Sequence, residues 1–340
     1  MLRHQLLETL TSVKAFVASR TSSVAMYRDV CFDQNLISAY NGECGLVTRL
    51  PLGISGLVSA ERLVKLIDKL PDDQDIQITA TDATLTVRCG TSKTTLQIAP
   101  STNFPDLVPK SYGEACSADN LTAAMQTCLS LMEDRASNQF AGVAIAGHYA
   151  YATDGRRTTR VRLTSPCAGE LLLIPSRSSK LLVRTGQPRQ LIVAGGMVGA
   201  LYDGKMWAST LLGTPFPQYE IDQLLDGSVT GNRIVMEFPA GLSDAVSRSE
   251  IFCSDISNGV ELVCDGDYLR LRVADRGVGS MEESFEWRFP HAFCIRVNPT
   301  HFQAALAFSR SVDLTLLSRQ QARHLRFIGE EADHVMALME

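Results

Sequence analysis

The sequence predicts an α+β protein of three repeated domains, residues 1–111, 112–229 and 230–340, each setting two helices against antiparallel sheet. Three observations predict it. One order of signals recurs three times: amphipathic helix, hairpin, second short helix, closing strands. Repetition at so long a period decides the architecture before local detail does. The turn dipeptides Asn41-Gly42, Asp154-Gly155 and Asp265-Gly266 fall roughly 110 residues apart, each beside alternating residues, which is the hairpin signal. Finally, Phe104-Pro105-Asp106-Leu107 and Phe216-Pro217-Gln218-Tyr219 close the first two copies in the same way.

In chain order, Leu2, Leu6, Leu10 and Val13 form one helical stripe, and Leu121, Met125, Leu129 and Met132 repeat its steps in the second copy. The segment from Leu242 to Arg248 is the weaker third equivalent. Hairpin strands are expected at Leu36 to Tyr40 with Leu46 to Leu50, at Tyr149 to Ala152 with Thr158 to Leu163, and at Tyr268 to Val273. The second helices each start at a residue suited to a helix N-terminus. Ser59 precedes Leu63, Val64, Ile67 and Leu70; Pro175-Ser176 precedes Leu182 and Val183; Asn298-Pro299 precedes Phe302 and Leu306.

Composition narrows the function classes. The 340 residues are 45% hydrophobic and 20% charged, ordinary for a packed globular chain. No run of about 18 apolar residues and no signal-peptide core occurs, so a cytoplasmic protein without a membrane partner is expected. A net charge of −5 argues against a protein that coats nucleic acid with its whole surface, while leaving room for a local basic face. The nine cysteines are scattered with no Cys-x-x-Cys pair, which fits buried apolar residues in a reducing compartment better than zinc ligation. No nucleophile elbow, His-Glu-x-x-His, phosphate loop or dinucleotide fingerprint appears. His148, His291 and His324 are isolated. The reading is a non-enzyme without cofactor or metal.

The three repeats, the Phe-Pro ends, the turn Ala152-Thr153-Asp154-Gly155-Arg156-Arg157 and the apolar tail Val335-Met336-Ala337-Leu338-Met339 together resemble the bacterial DNA sliding clamp, the beta subunit of DNA polymerase III. The resemblance spans essentially the whole chain and rests on order and spacing. It implies a head-to-tail homodimer of three-domain chains, a six-domain ring on double-stranded DNA with helices lining the hole. Such a ring acts as a processivity factor without reading sequence. DNA polymerase and clamp-loader subunits would be held through short linear peptides.

Sliding needs weak, sequence-independent attraction to phosphates. Arg62, Lys65 and Lys69 repeat at i, i+3, i+7, as do Arg177, Lys180 and Arg184, so each trio occupies one helix face. Spacing alone reads these as solvated faces; the resemblance makes them DNA-facing, with Arg3 and Lys14 of the first helix. In the family a loop before the second hairpin also touches DNA, and the matching residues here are Arg135, Asn138 and Gln139, without an aromatic.

The resemblance also implies a peptide pocket between the second and third domains. Its matching residues are Phe140, Thr153, Gly155, Arg156, Arg157, Thr158, Pro217, Asn298, His301, Val335, Met336, Ala337, Leu338 and Met339. The tail is equally readable as a last core strand. If it is pocket wall, removing residues 335–340 should abolish peptide binding and spare the fold. Ala337 stands where the family usually has proline. Arg160 and Arg162 alternate with Val161 and Leu163, the pattern of a hairpin's wet face. For ring closure the matching positions are Thr91, Lys93 and Thr94 against Ile251 and Phe252. A rival reading keeps the fold but not the encirclement: a clamp-like module that binds peptides as a monomer.

Overall fold

The computed structural model describes all residues except 1, 73, 109–112, 114, 133–140, 227–232, 254–258, 319–321 and 340, with the side chains at 115, 116 and 168 also outside the description. Arg135, Asn138, Gln139 and Phe140 therefore lie outside the described residues. The chain is α+β, and its strand pairings are antiparallel. The observed order repeats three times: Arg3–Lys14, a hairpin and Ala60–Asp68; Leu121–Ser130, a hairpin and Ser176–Thr185; Leu242–Ser249, a hairpin and Pro299–Phe308.

The residues group into two compact units, one of 1–123, 145–148 and 163–213, the other of 124–144, 149–162 and 214–340. The second repeat contributes to both. In the first unit a six-stranded sheet runs in the order Asp29–Tyr40, Cys44–Ser59, Lys205–Thr210, Met197–Tyr202, Gln190–Ala194, Ala115–Ser117, beside a three-stranded sheet of Ile76–Ala80, Thr84–Cys89 and Ser92–Gln97. In the second unit the six-stranded order is Val235–Glu237, Ser311–Asp313, His324–Ile328, Ala332–Ala337, Arg157–Pro175, Gly142–Thr153. A four-stranded sheet of Gly279–Glu286, Tyr268–Asp275, Val260–Cys264 and Phe293–Val297 completes it.

The three turns are one device used three times. The side chains of Asn41, Asp154 and Asp265 each accept from the backbone N–H groups two and three residues on, at 2.7–3.2 Å. Gly42, Gly155 and Gly266 then take φ of +98°, +84° and +115°, where a Cβ would be strained. The hairpin strands run longer than alternation suggested, Asp29–Tyr40 with Cys44–Ser59 and Gly142–Thr153 with Arg157–Pro175. Their far halves lie in pairing rather than in turn context, so polar residues interrupt the pattern.

Helix faces follow the periodicity with two shifts. Leu6, Leu10 and Val13 are buried while Leu2 is exposed; Cys128 is buried where Leu129 is only half-buried. The helix starts differ more. Only Asn298 caps through its side chain, accepting from His301 N at 3.0 Å; Ser59 makes no such bond. At Ser176–Thr185 the acceptor comes from the first hairpin: Glu43 takes the Ser178 N–H at 3.1 Å and the Ser178 hydroxyl as well. A carboxylate at a helix N-terminus is favourable both to the open N–H groups and to the helix dipole.

The core of the second unit centres on Phe238, Trp287, Phe289, Phe293, Phe302 and Phe327, with the Trp287 indole N–H donating to Glu237 O at 2.8 Å. In the first unit Trp207 is fully buried. Six of the eight described free cysteines are buried, and burial lifts the Cys31 thiol to about 11. Among the described residues no helix is long and apolar enough to cross a membrane.

Candidate functional site

On Ala60–Asp68 the apolar residues Leu63, Val64 and Ile67 face the core, which leaves Arg62 and Lys65 exposed, with exposed Lys69 at the C-terminal cap. Lys65 is held by Glu61 at 2.7 Å, and Arg20 binds the same carboxylate, lowering its titration to about 2. Ser176–Thr185 repeats the arrangement: Ser178, Ser179 and Leu182 are buried, while Arg177, Lys180 and Arg184 are exposed.

Lys14 joins Arg62 and Lys65 along a depression of about 950 Å³ whose wall also holds Arg20 and Arg28, against the acids Asp29 and Glu61. Arg20 and Arg28 belong to this basic surface and were missed because they lie outside any periodic segment. Arg3 is placed otherwise. Its guanidinium donates to Ile67 O at 3.0 Å, to Asp68 O at 2.6 Å and to the Asp72 carboxylate. It thus closes the C-terminal end of the second helix, where carbonyls lack intrahelical partners, rather than facing outward like the two trios.

The other candidate residues meet on one sheet of the second unit. Arg157–Pro175 pairs with Ala332–Ala337 in the register Val335↔Thr158 and Met336↔Arg157, and Ala337 N donates to Arg156 O at 2.8 Å. Side chains alternate across a strand, so Thr153, Thr158, Val335 and Ala337 share one face, and the Thr153 and Thr158 hydroxyls bond at 3.0 Å. Met336, His334, Thr159 and Arg157 take the other face. There Met336 enters the aromatic core, and His334 accepts or donates at 2.9 Å with Thr159 beside Phe308 and Phe327.

This alternation corrects three expectations. Val335 and Met336 are 3% and 0% exposed, so the tail begins as a core strand bonded on both sides; only Ala337 is exposed, with Leu338 and Met339 half-buried. Removing residues 335–340 would therefore break the sheet as well as the site. Arg157 is also buried, holding Asp154 at 2.8 Å. Burial alone would raise the Asp154 carboxyl, but the Arg156 and Arg157 N–H groups and the Arg157 guanidinium outweigh it and hold it low. His301, 6% exposed, serves as the residue capped by Asn298.

Arg160 overturns the wet-face reading most clearly. It is 6% exposed, forks onto Asp226 at 2.6 and 2.8 Å, reaches Asp222 at 3.1 Å and Asp333 at 3.4 Å, and lies over the Tyr149 ring. Arg326 holds Asp333 and donates to Leu225 O, while Tyr151 donates to Asp222 and packs on Phe216. Gln218–Asp226, which begins just after Pro217, is thereby fastened across one end of the face. Its other end, at Gly155, Arg156 and Ala337, stays exposed. Arg162 remains exposed.

The ring-closing candidates occupy edges. Thr91 lies in the turn before Ser92–Gln97, which carries Lys93 and Thr94 and is bonded on one side only, to Thr84–Cys89. Ile251 is 70% exposed on the short helix Glu250–Phe252, and Phe252 is half-buried against the core. Among the described residues no group of acids, cysteines and histidines is placed to hold a metal.

No protein-family model and no curated protein matches the chain. Solved structures do. It is similar to the DNA polymerase sliding clamp of Pseudomonas aeruginosa with ligand at TM-score 0.86 and 18% identity, over 100% of this chain and 98% of that one. The sliding clamp (DNA polymerase III subunit beta) of Bartonella birtlesii bound to griselimycin gives 0.83 at 19% identity, over 100% and 98%. The Helicobacter pylori beta clamp bound to a DNA ligase peptide gives 0.80 at 14% identity, over 100% and 99%. Over its full length, and at low identity, the chain has the fold of the bacterial DNA sliding clamps.

Proposed function

We propose that the chain is a non-enzymatic DNA sliding clamp that closes into a ring as a homodimer, encircles double-stranded DNA, and tethers polymerases and other partners through peptides. The strand pairing carries this reading. Inside the chain, the second hairpin strand of one repeat pairs with the last strand of the next: Cys44–Thr48 with Lys205–Ser209, then Arg157–Val161 with Ala332–Met336. Continuing that rule leaves two strands bonded on one side only. They are Ser92–Gln97, the last of the first repeat, and Gly279–Glu286 in the third.

Open edges invite pairing, and these two are complementary. Ser92–Gln97 carries Lys93 and no acid; Gly279–Glu286 carries Glu282, Glu283 and Glu286 and no cation. A heterologous contact of this kind makes a closed ring when its rotation closes. In that ring each chain supplies three domains, divided near residues 111 and 229. The exposed trios Arg62, Lys65, Lys69 and Arg177, Lys180, Arg184, with Lys14, supply the phosphate attraction. The face of Thr153, Thr158, Pro217, Val335 and Ala337, with Leu338 and Met339, receives partner peptides, as the ligase peptide on the Helicobacter clamp suggests.

Light scattering across protein concentration tests the ring. A mass of twice one chain is expected, falling to one chain for Thr94→Pro, since proline removes a ladder donor at the edge. A monomer at every concentration would favour the peptide-binding module that does not encircle DNA.

A further inference from the structure

We infer that Arg156 selects partner peptides carrying an acidic side chain beside their apolar anchors; this deepens, and rests on, the peptide-site reading above. Four arginines surround the face formed by Arg157–Pro175, Ala332–Ala337 and His324–Ile328, and their acids are unevenly shared. Arg157 is neutralised by Asp154. Arg160 is taken by Asp222, Asp226 and Asp333, and Arg326 by Asp333. Arg156 alone of the four has a guanidinium with no acid or hydrogen-bond acceptor among the described residues; the Asp154 carboxylate spends its contact on the Arg156 backbone N–H, at 2.9 Å.

Position gives that charge its use. Arg156 is exposed at the open end of the face, its carbonyl bonded to the N–H of exposed Ala337. Ala332–Ala337 is bonded along both sides, to His324–Ile328 and to Arg157–Pro175, so an incoming segment has no free edge there to extend as another strand. Recognition falls to side chains. An apolar row of Val335, Ala337 and half-buried Leu338 ending at an unneutralised guanidinium is complementary to apolar anchors followed by a carboxylate, which arginine grips with a planar fork.

The experiment uses the full chain and three synthetic decapeptides with the same leucine and phenylalanine anchors, differing only in an adjacent Asp, Asn or Lys. Fluorescence anisotropy should rank Asp above Asn by about five-fold, the scale of an exposed charge pair, with Lys weakest and the spread collapsing at high salt. Arg156→Gln should erase the ranking and leave the Asn peptide's affinity unchanged; Arg156→Glu should invert it. Equal binding of all three by the unaltered protein would overturn the inference while the peptide site stands. No binding of any would overturn the site, and the inference with it. If Arg156→Gln instead weakened retention on DNA and left all peptides alone, Arg156 would belong to the DNA surface, which also overturns it.

Discussion

Buried between Phe308 and Phe327, His334 enters the folded state neutral: burial above all, then the nearby Arg157 charge, holds its titration down to about 3. The unfolded chain takes up this proton below the ordinary 6.5. The stability that neutral His334 contributes is therefore whole above that value and drains as pH falls toward 3. Between pH 7.5 and 4.5 the loss is about 2 to 3 kcal/mol. His334→Gln, which retains a partner for Thr159 but has no proton to gain, should show a shallower fall by that amount in urea unfolding at the two pH values. An identical fall would mean His334 already ionises in the folded protein. Arg160 makes a second contrast. Arg160→Met leaves Asp222, Asp226 and Asp333 without their shared cation and should cost about 3 kcal/mol, whereas Arg162→Met should stay within about 0.5. The sequence offers these two arginines as equals, alternating with Val161 and Leu163; what separates them is Gln218–Asp226, about sixty residues on, whose acids reach only one of them.

At the level of elements, the hairpins were legible because their turns use local chemistry: an Asn or Asp accepting two N–H groups, followed by glycine at positive φ. The helix trios were legible because they oppose an apolar stripe. Long-range caps were not. Glu43, in the first turn, satisfies Ser178 at the start of a helix far along the chain, and nothing near Pro175 announces it. Glu43→Gln should lower stability by about 1 kcal/mol through that helix end, read as earlier amide exchange of Ser178 to Leu182. The tail shows the same limit, since apolar Val335 to Met339 reads equally as pocket wall and core strand and in fact divides between them. Arg177→Glu with Lys180→Glu should lower loading onto DNA several-fold without changing thermal stability or peptide affinity. Unchanged loading would return that face to plain solvent.

For the whole molecule, threefold repetition was readable from turn spacing, and the fold followed from it. The grouping into two compact units was not, because it depends on sheets that join one repeat to the next: Lys205–Ser209 to Cys44–Thr48, and Ala332–Met336 to Arg157–Val161. The same junction rule leaves Ser92–Gln97 and Gly279–Glu286 with open edges, and the threonines that make the first look weak in sequence are the residues of an exposed edge strand. Encirclement predicts a property no ordinary DNA binder has. The protein is placed on a nicked circular plasmid with an ATP-driven clamp loader, washed in salt high enough to screen phosphate contacts, and assayed for protein still on DNA before and after a single restriction cut. Retention on the circle and loss from the cut plasmid is the predicted result; equal loss from both would contradict the account.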